Sequence, residues 1–214
     1  MQAGASVGQT GGSVQLSTGT GGPSSSSGAF DINTAKATGT STSGSIGIHT
    51  GDVQDAKSGD LSFNTGASST GSAGSINIAP GASGSIGGSV RVNAGESSSD
   101  KGGDILVESG AGATQSGDVV VGSASSNLEG SSGALSLSTG NTISGPSGSA
   151  SLVTGDSKYG QAGTISIGAG KSAGAEGAQL TLGSGSTNGG NVELISGESN
   201  ADVTGSVRIR TADG

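Results

Sequence analysis

The residues able to do chemistry are few, and their spacing argues against catalysis. His49 is the only histidine among 214 residues, and there is no cysteine. A Ser–His–Asp relay needs a base oriented by a carboxylate. His49 instead follows the alternating pair Ile46/Ile48 on an outward position, where a solvated surface histidine is the simpler reading. Zinc needs several Cys, His or carboxylate ligands in a tetrahedral set, so a zinc site is excluded in practice. Gly168-Ala-Gly-Lys-Ser172 resembles the end of a phosphate-binding loop, but the position that must be the first glycine of that loop is Ile165. It reads as a turn. Asp60, Asp104 and Asp118 follow glycines at the start of apolar segments, as in calcium-binding β-rolls. Those rolls repeat the aspartate in every unit, whereas here three units have it. No enzyme activity, resident metal or cofactor is expected.

What recurs is hydroxyl chemistry. A row of Ser and Thr includes Thr18, Thr34, Thr50, Thr65, Thr139, Thr154 and Thr211, each two residues after an apolar pair. Alternation points this row to the edge of a core, where it would serve as a structural hydroxyl ladder; the other reading turns it outward as a binding row. A second set occupies outward positions: Ser13, Gln15, Ser17, Ser45, Ser75, Asn77, Ala134, Ser136, Ser138, Thr164 and Ser166. These side chains are small and uncharged, and they fall in odd-numbered repeats. The charged side chains Asp31, Asp60, Arg91, Asp118, Arg208 and Arg210 fall in even-numbered ones, with Asp104, Glu108 and Glu193 as exceptions.

The elements that must position these groups follow from an internal repeat, Gly-x-φ-x-φ-x-[Thr/Ser]-Gly, where φ is apolar. The φ pairs are Val14/Leu16, Phe30/Ile32, Ile46/Ile48, Leu61/Phe63, Ile76/Ile78, Val90/Val92, Ile105/Val107, Val119/Val121, Leu135/Leu137, Ala150/Leu152, Ile165/Ile167, Leu180/Leu182, Val192/Leu194 and Val207/Ile209. They define fourteen units of about 15 residues. Strict alternation is the period-2 signature of a strand with one buried face, and the flanking glycines would break a helix. Glycine after most pairs is expected to supply the positive φ of a tight turn. One unit buries too little to offset its own ordering entropy, so stacking is expected to be obligatory. The expected fold is all-β: a single parallel β-solenoid domain over 1–214, with 1–11 as a lead-in or cap and 12–214 as repeats. Two units per coil of about 30 residues would bring the φ pairs of two sheets together in a dry core; one unit per coil would make the connector the opposing wall. The first is preferred, and the second stays open.

Composition narrows the partners. Glycine contributes 46 residues, charged residues 11% and aromatics 1%, a balance suited to a glycine- and serine-rich repeat protein. Sixteen acidic and eight basic side chains leave a net charge of −8, and the basic ones are scattered apart from Arg208/Arg210. Nucleic acid is not expected as a partner, because no patch could neutralise a row of phosphates. No apolar run approaches the roughly 20 residues that cross a bilayer, so membrane insertion is not expected either. Met1-Gln2-Ala3-Gly4 is unlike a signal peptide, and a mature chain behind an initiator Met is the expectation there. A monomer is expected.

Gly-Ala-Leu-Ser-Leu-Ser-Thr-Gly (133–140) and Gly-Thr-Ile-Ser-Ile-Gly-Ala-Gly (163–170) resemble the repeats of secreted ice-binding (antifreeze) proteins of polar green microalgae. The resemblance extends over nearly the whole chain and is compositional; the Thr-x-Thr ladder of insect antifreeze solenoids is missing. It implies a secreted, extracellular protein that adsorbs to an ice surface. Parallel strands lie roughly 4.7–4.9 Å apart, close to a lattice repeat of ice, so a flat, low-charge Ser/Thr/Asn/Ala face is the expected ice-binding site. The alternative is a passive stalk, adhesin or cell-surface fibre segment. Polysaccharide cleavage would need clustered acids and aromatic platforms, and neither is visible.

Overall fold

The computed structural model describes residues 2–126, 130–174, 176–185, 189–198 and 204–211. The chain divides into two units, Met1–Val107 and Glu108–Gly214. Both are made of one local motif. Each φ pair lies in a stretch free of bends, and the bends and turns fall in the connectors. In the first unit they sit at 7–9, 23–25, 39–40, 54–56, 69–71, 84–86 and 98–100; in the second at 113–114, 143–145, 158–160 and 173–174, among others. Serine hydroxyls hold several of these tips by accepting from an N–H two or three residues on, the local bonding by which serine favours turns. Ser68 Oγ accepts from Gly71 (3.0 Å), Ser97 Oγ from Asp100 (2.9 Å) and Ser157 Oγ from Gly160 (3.0 Å). Gly39 (φ 69°) and Gly145 (φ 99°) sit at connector tips in the left-handed region, which only glycine enters without strain.

Six connectors return to their own starting points. The Gly28 N–H donates to the Gly19 carbonyl (3.1 Å), Gly103 to Gly95 (2.9 Å), Gly117 to Gly110 (2.9 Å) and Gly205 to Gly197 (3.0 Å). The same closure joins Gly12 to Gly4 (2.9 Å) and Gly190 to Gly185 (3.1 Å). The connectors are thus small Ω-like loops with a glycine–glycine neck. Residues 4–12 form a loop of this same kind, within and just past the 1–11 stretch expected as a lead-in or cap.

The expected parallel β-solenoid is not what forms. Among the described residues there is no helix and no strand, hence no sheet and no coil of one unit or two. Among the described residues no hydrophobic side chain is buried. Even Ile165, the least exposed large apolar residue described, is 45% exposed, and Leu137 is 87% exposed. Phe30 and Phe63, members of φ pairs expected in a dry core, are open to solvent. The physical reason lies in the connectors. A coil needs each connector to carry the chain across to an opposing wall, whereas a loop closed at its neck hands the chain back where it left. Successive extended segments therefore share only an end, and their backbone groups form no ladder. The glycines that follow the φ pairs also differ from expectation. Positive φ is confined, among the described residues, to Gly39, Gly145 and Gly189. Gly19, Gly95, Gly110, Gly185 and Gly197 instead supply the neck carbonyls.

Candidate functional site

The hydroxyl row is located by these necks. In most units the first glycine stands against the row residue of the unit before it. A Cβ built on Gly28 would lie 3.3 Å from Thr18 Cβ, one on Gly44 3.3 Å from Thr34 Cγ2, and one on Gly59 3.4 Å from Thr50 Cγ2. The same holds for Gly74 against Thr65 (3.5 Å), Gly163 against Thr154 (3.4 Å) and, more loosely, Gly148 against Thr139 (3.9 Å). Where the row residue is Ala or Ser the pairing persists, as in Gly103 on Ala94 (3.3 Å) and Gly205 on Ser196 (3.3 Å). Pro80 takes the row position before Gly88, whose Cβ would come within 2.7 Å of the proline Cβ. The row thus packs by its Cβ and methyl groups on a backbone that has no side chain to interpose. Its hydroxyl reaches a neck carbonyl at one described position, where Thr65 Oγ1 donates to Gly74 O (3.3 Å). Ala3, Ala94 and Ser196, all at necks, are among the few described residues less than fully open to solvent. Thr211 is exposed, and the residues that follow it lie outside the described ones.

The outward set behaves differently. Ser13, Gln15, Ser17, Ser45, Ser75, Asn77, Ala134, Ser136, Ser138, Thr164 and Ser166 are all exposed. No sheet imposes a strand spacing on them among the described residues. Ser75 and Asn77 are brought together, with Phe63, Asn64, Ile76 and Ile78, around a groove of about 500 Å3 in the first unit. Its lining residues lie on either side, in sequence, of the Thr65–Gly74 hydrogen bond. Sequence reasoning missed the groove because it sent Phe63 and Ile76 into a core. The signal was there in a rare aromatic placed just before a connector.

The other candidates are explained locally. Lys57 Nζ lies 2.9 Å from Asp60 Oδ1, and Lys101 Nζ lies 2.9 Å from Asp104 Oδ1. These ion pairs span three residues at unit starts; exposed pairs of this kind contribute about 0.2–1 kcal/mol. No group of three or more His, Cys, Asp or Glu could hold a metal ion among the described residues. Ser172 Oγ accepts from the Gly174 N–H (3.3 Å), so the phosphate-loop-like segment is a serine turn. His49 is exposed. Among the described residues no helix is long and apolar enough to cross a membrane. Comparison with protein-family models, with curated proteins and with solved structures finds no match.

Proposed function

We propose that this chain is a structural repeat segment, of the stalk, adhesin or surface-fibre kind, acting outside the cell as a hydroxyl-rich spacer and not as a catalyst. The observation that carries this reading is the neck. Six connectors close through Gly N–H···O=C bonding, and at several others a Thr lies beside the first glycine of the following unit, so the contacts that shape these loops are local. Such a chain can be lengthened or shortened by whole units without remaking a core. A second reading, adsorption to ice, is supported by the exposure of the whole outward Ser/Thr/Asn set and by the low charge of the chain. It lacks the preorganised plane that a sheet would supply.

An ice assay on purified protein separates the two. The spacer reading expects crystals grown in its presence to stay rounded and to coarsen as in buffer. Faceted crystals or slowed recrystallisation would replace it with the ice-binding reading. In that case Ser136→Tyr and Ser166→Tyr are expected to abolish the effect, and Ser62→Tyr and Ser151→Tyr to leave it.

A further inference from the structure

We propose that the necked connectors are reserves of chain length opened by tension, so that this segment lengthens reversibly when its ends are pulled. The inference rests on the spacer reading above and names how the reach of such a spacer is regulated. Length is the first argument. In four loops described throughout, the neck joins Gly4 to Gly12 (2.9 Å), Gly19 to Gly28 (3.1 Å), Gly95 to Gly103 (2.9 Å) and Gly110 to Gly117 (2.9 Å). The seven to nine residues of each loop, drawn straight, span about 24–30 Å. Two residues joined by such a bond have their α-carbons only about 5 Å apart. Opening one neck therefore releases about 20–25 Å. Opening all four releases about 90 Å, close to an eighth of the extended length of 214 residues.

The necks are also where a pull must act first. The φ pairs lie in stretches free of bends, so the slack of the chain is in the connectors. Little else holds the loops shut, because no described side chain is buried and opening exposes no core. Beside each neck bond stands one small side chain: Ala3 at Gly12, Thr18 at Gly28, Ala94 at Gly103 and Ser109 at Gly117. Bond and contact lie at the same point, so parting the two glycines breaks both and frees the whole loop in one step. A neck bond favours the closed loop only about two- to tenfold. A gentle pull therefore opens it, and it recloses when the pull ends. Each bond joins residues of a single connector, so the loops open one by one.

Stretching single full-length chains tethered by their ends is the test. Gly12→Pro, Gly28→Pro, Gly103→Pro and Gly117→Pro together delete the four donors, since proline has no N–H. At the lowest tension the unmodified chain should be about a tenth shorter than this variant. As tension rises the two curves should merge, and they should retrace on relaxation, because both chains have the same extended length. Gly51→Pro, Gly66→Pro, Gly140→Pro and Gly155→Pro, at glycines whose N–H groups close no neck, are the control and should leave the curve of the unmodified chain in place. Curves that coincide at every tension overturn the proposal, since the necks then hold back no length. An unmodified chain that stays shorter at high tension overturns it too, as does an equal effect of the control prolines. A chain inert towards ice whose curves coincide keeps the spacer reading and loses this one, so the two can fail separately.

Discussion

Scanning calorimetry of this protein should show no unfolding peak. A compact domain of 214 residues would absorb about 150 kcal/mol near 60 °C. That heat, and the heat-capacity step that accompanies it, come from exposing a packed interior to water. Here no hydrophobic side chain is buried among the described residues, so heating has no interior to expose. The same reasoning fixes a substitution. Ile165→Asp would cost about 3–5 kcal/mol if it left an unpaired charge inside a core. At 45% exposure the carboxylate keeps its water, and the expected change is within about 0.5 kcal/mol, the range of ordinary surface substitutions. Ile165→Asp and Lys158→Ala should therefore be equally tolerated in thermal melts. A sharp endotherm, lost on Ile165→Asp, would show a core where this account has none.

The second large effect belongs to the necks. Gly103→Val should open the loop that Gly103 closes. A valine Cβ there would sit 3.3 Å from both Ala94 Cβ and the Gly95 nitrogen, and its two methyls would have to enter the same gap. The relaxation that relieves this separates the Gly103 N–H from the Gly95 carbonyl, now 2.9 Å away. Nuclear Overhauser contacts between the Ala94 methyl and residue 103 should vanish, with those at the Gly117 neck intact. Gly51→Ala, with nothing within 4 Å of its Cβ, is the control and should leave its loop unchanged. If Gly103→Val keeps the contacts, the neck is not a close approach, and the explanation of the glycine repeat fails.

These expectations mark what the sequence could and could not convey. The positions that matter were legible. The first glycine and the Thr or Ser near the end of Gly-x-φ-x-φ-x-[Thr/Ser]-Gly are the two sides of most necks, and the connectors fall where the bends fall. What the pattern could not convey is which partner each position meets. Alternation at Ile46/Ile48 or Ile165/Ile167 says that a segment is extended with two unlike faces. It does not say that a second segment covers the apolar one. A period of about 15 residues fits a connector that crosses to a new wall and one that closes on itself equally well. The choice rests on one hydrogen bond, such as Gly28 to Gly19, between residues the repeat assigns to different units. The Thr row was read either as a hydroxyl ladder at a core edge or as an outward row, and Thr18 and Thr154 lie beside the first glycines of the following units, Gly28 and Gly163. The outward Ser set is exposed, as nearly every described residue is, and the flat face expected of it presumed a sheet.

Residue-resolved amide hydrogen exchange tests the central claim most directly, because it reads backbone pairing itself. A neck bond worth about 0.5–1.5 kcal/mol slows exchange only about two- to tenfold. That modest protection is expected at Gly12, Gly28, Gly103, Gly117, Gly190 and Gly205, whose N–H groups donate across the necks. Amides at the φ pairs, Ile46 and Ile48 or Ile105 and Val107, should exchange at the rate of free chain. The contradicting result is strong protection running continuously through those pairs in successive units, the mark of a hydrogen-bonded ladder.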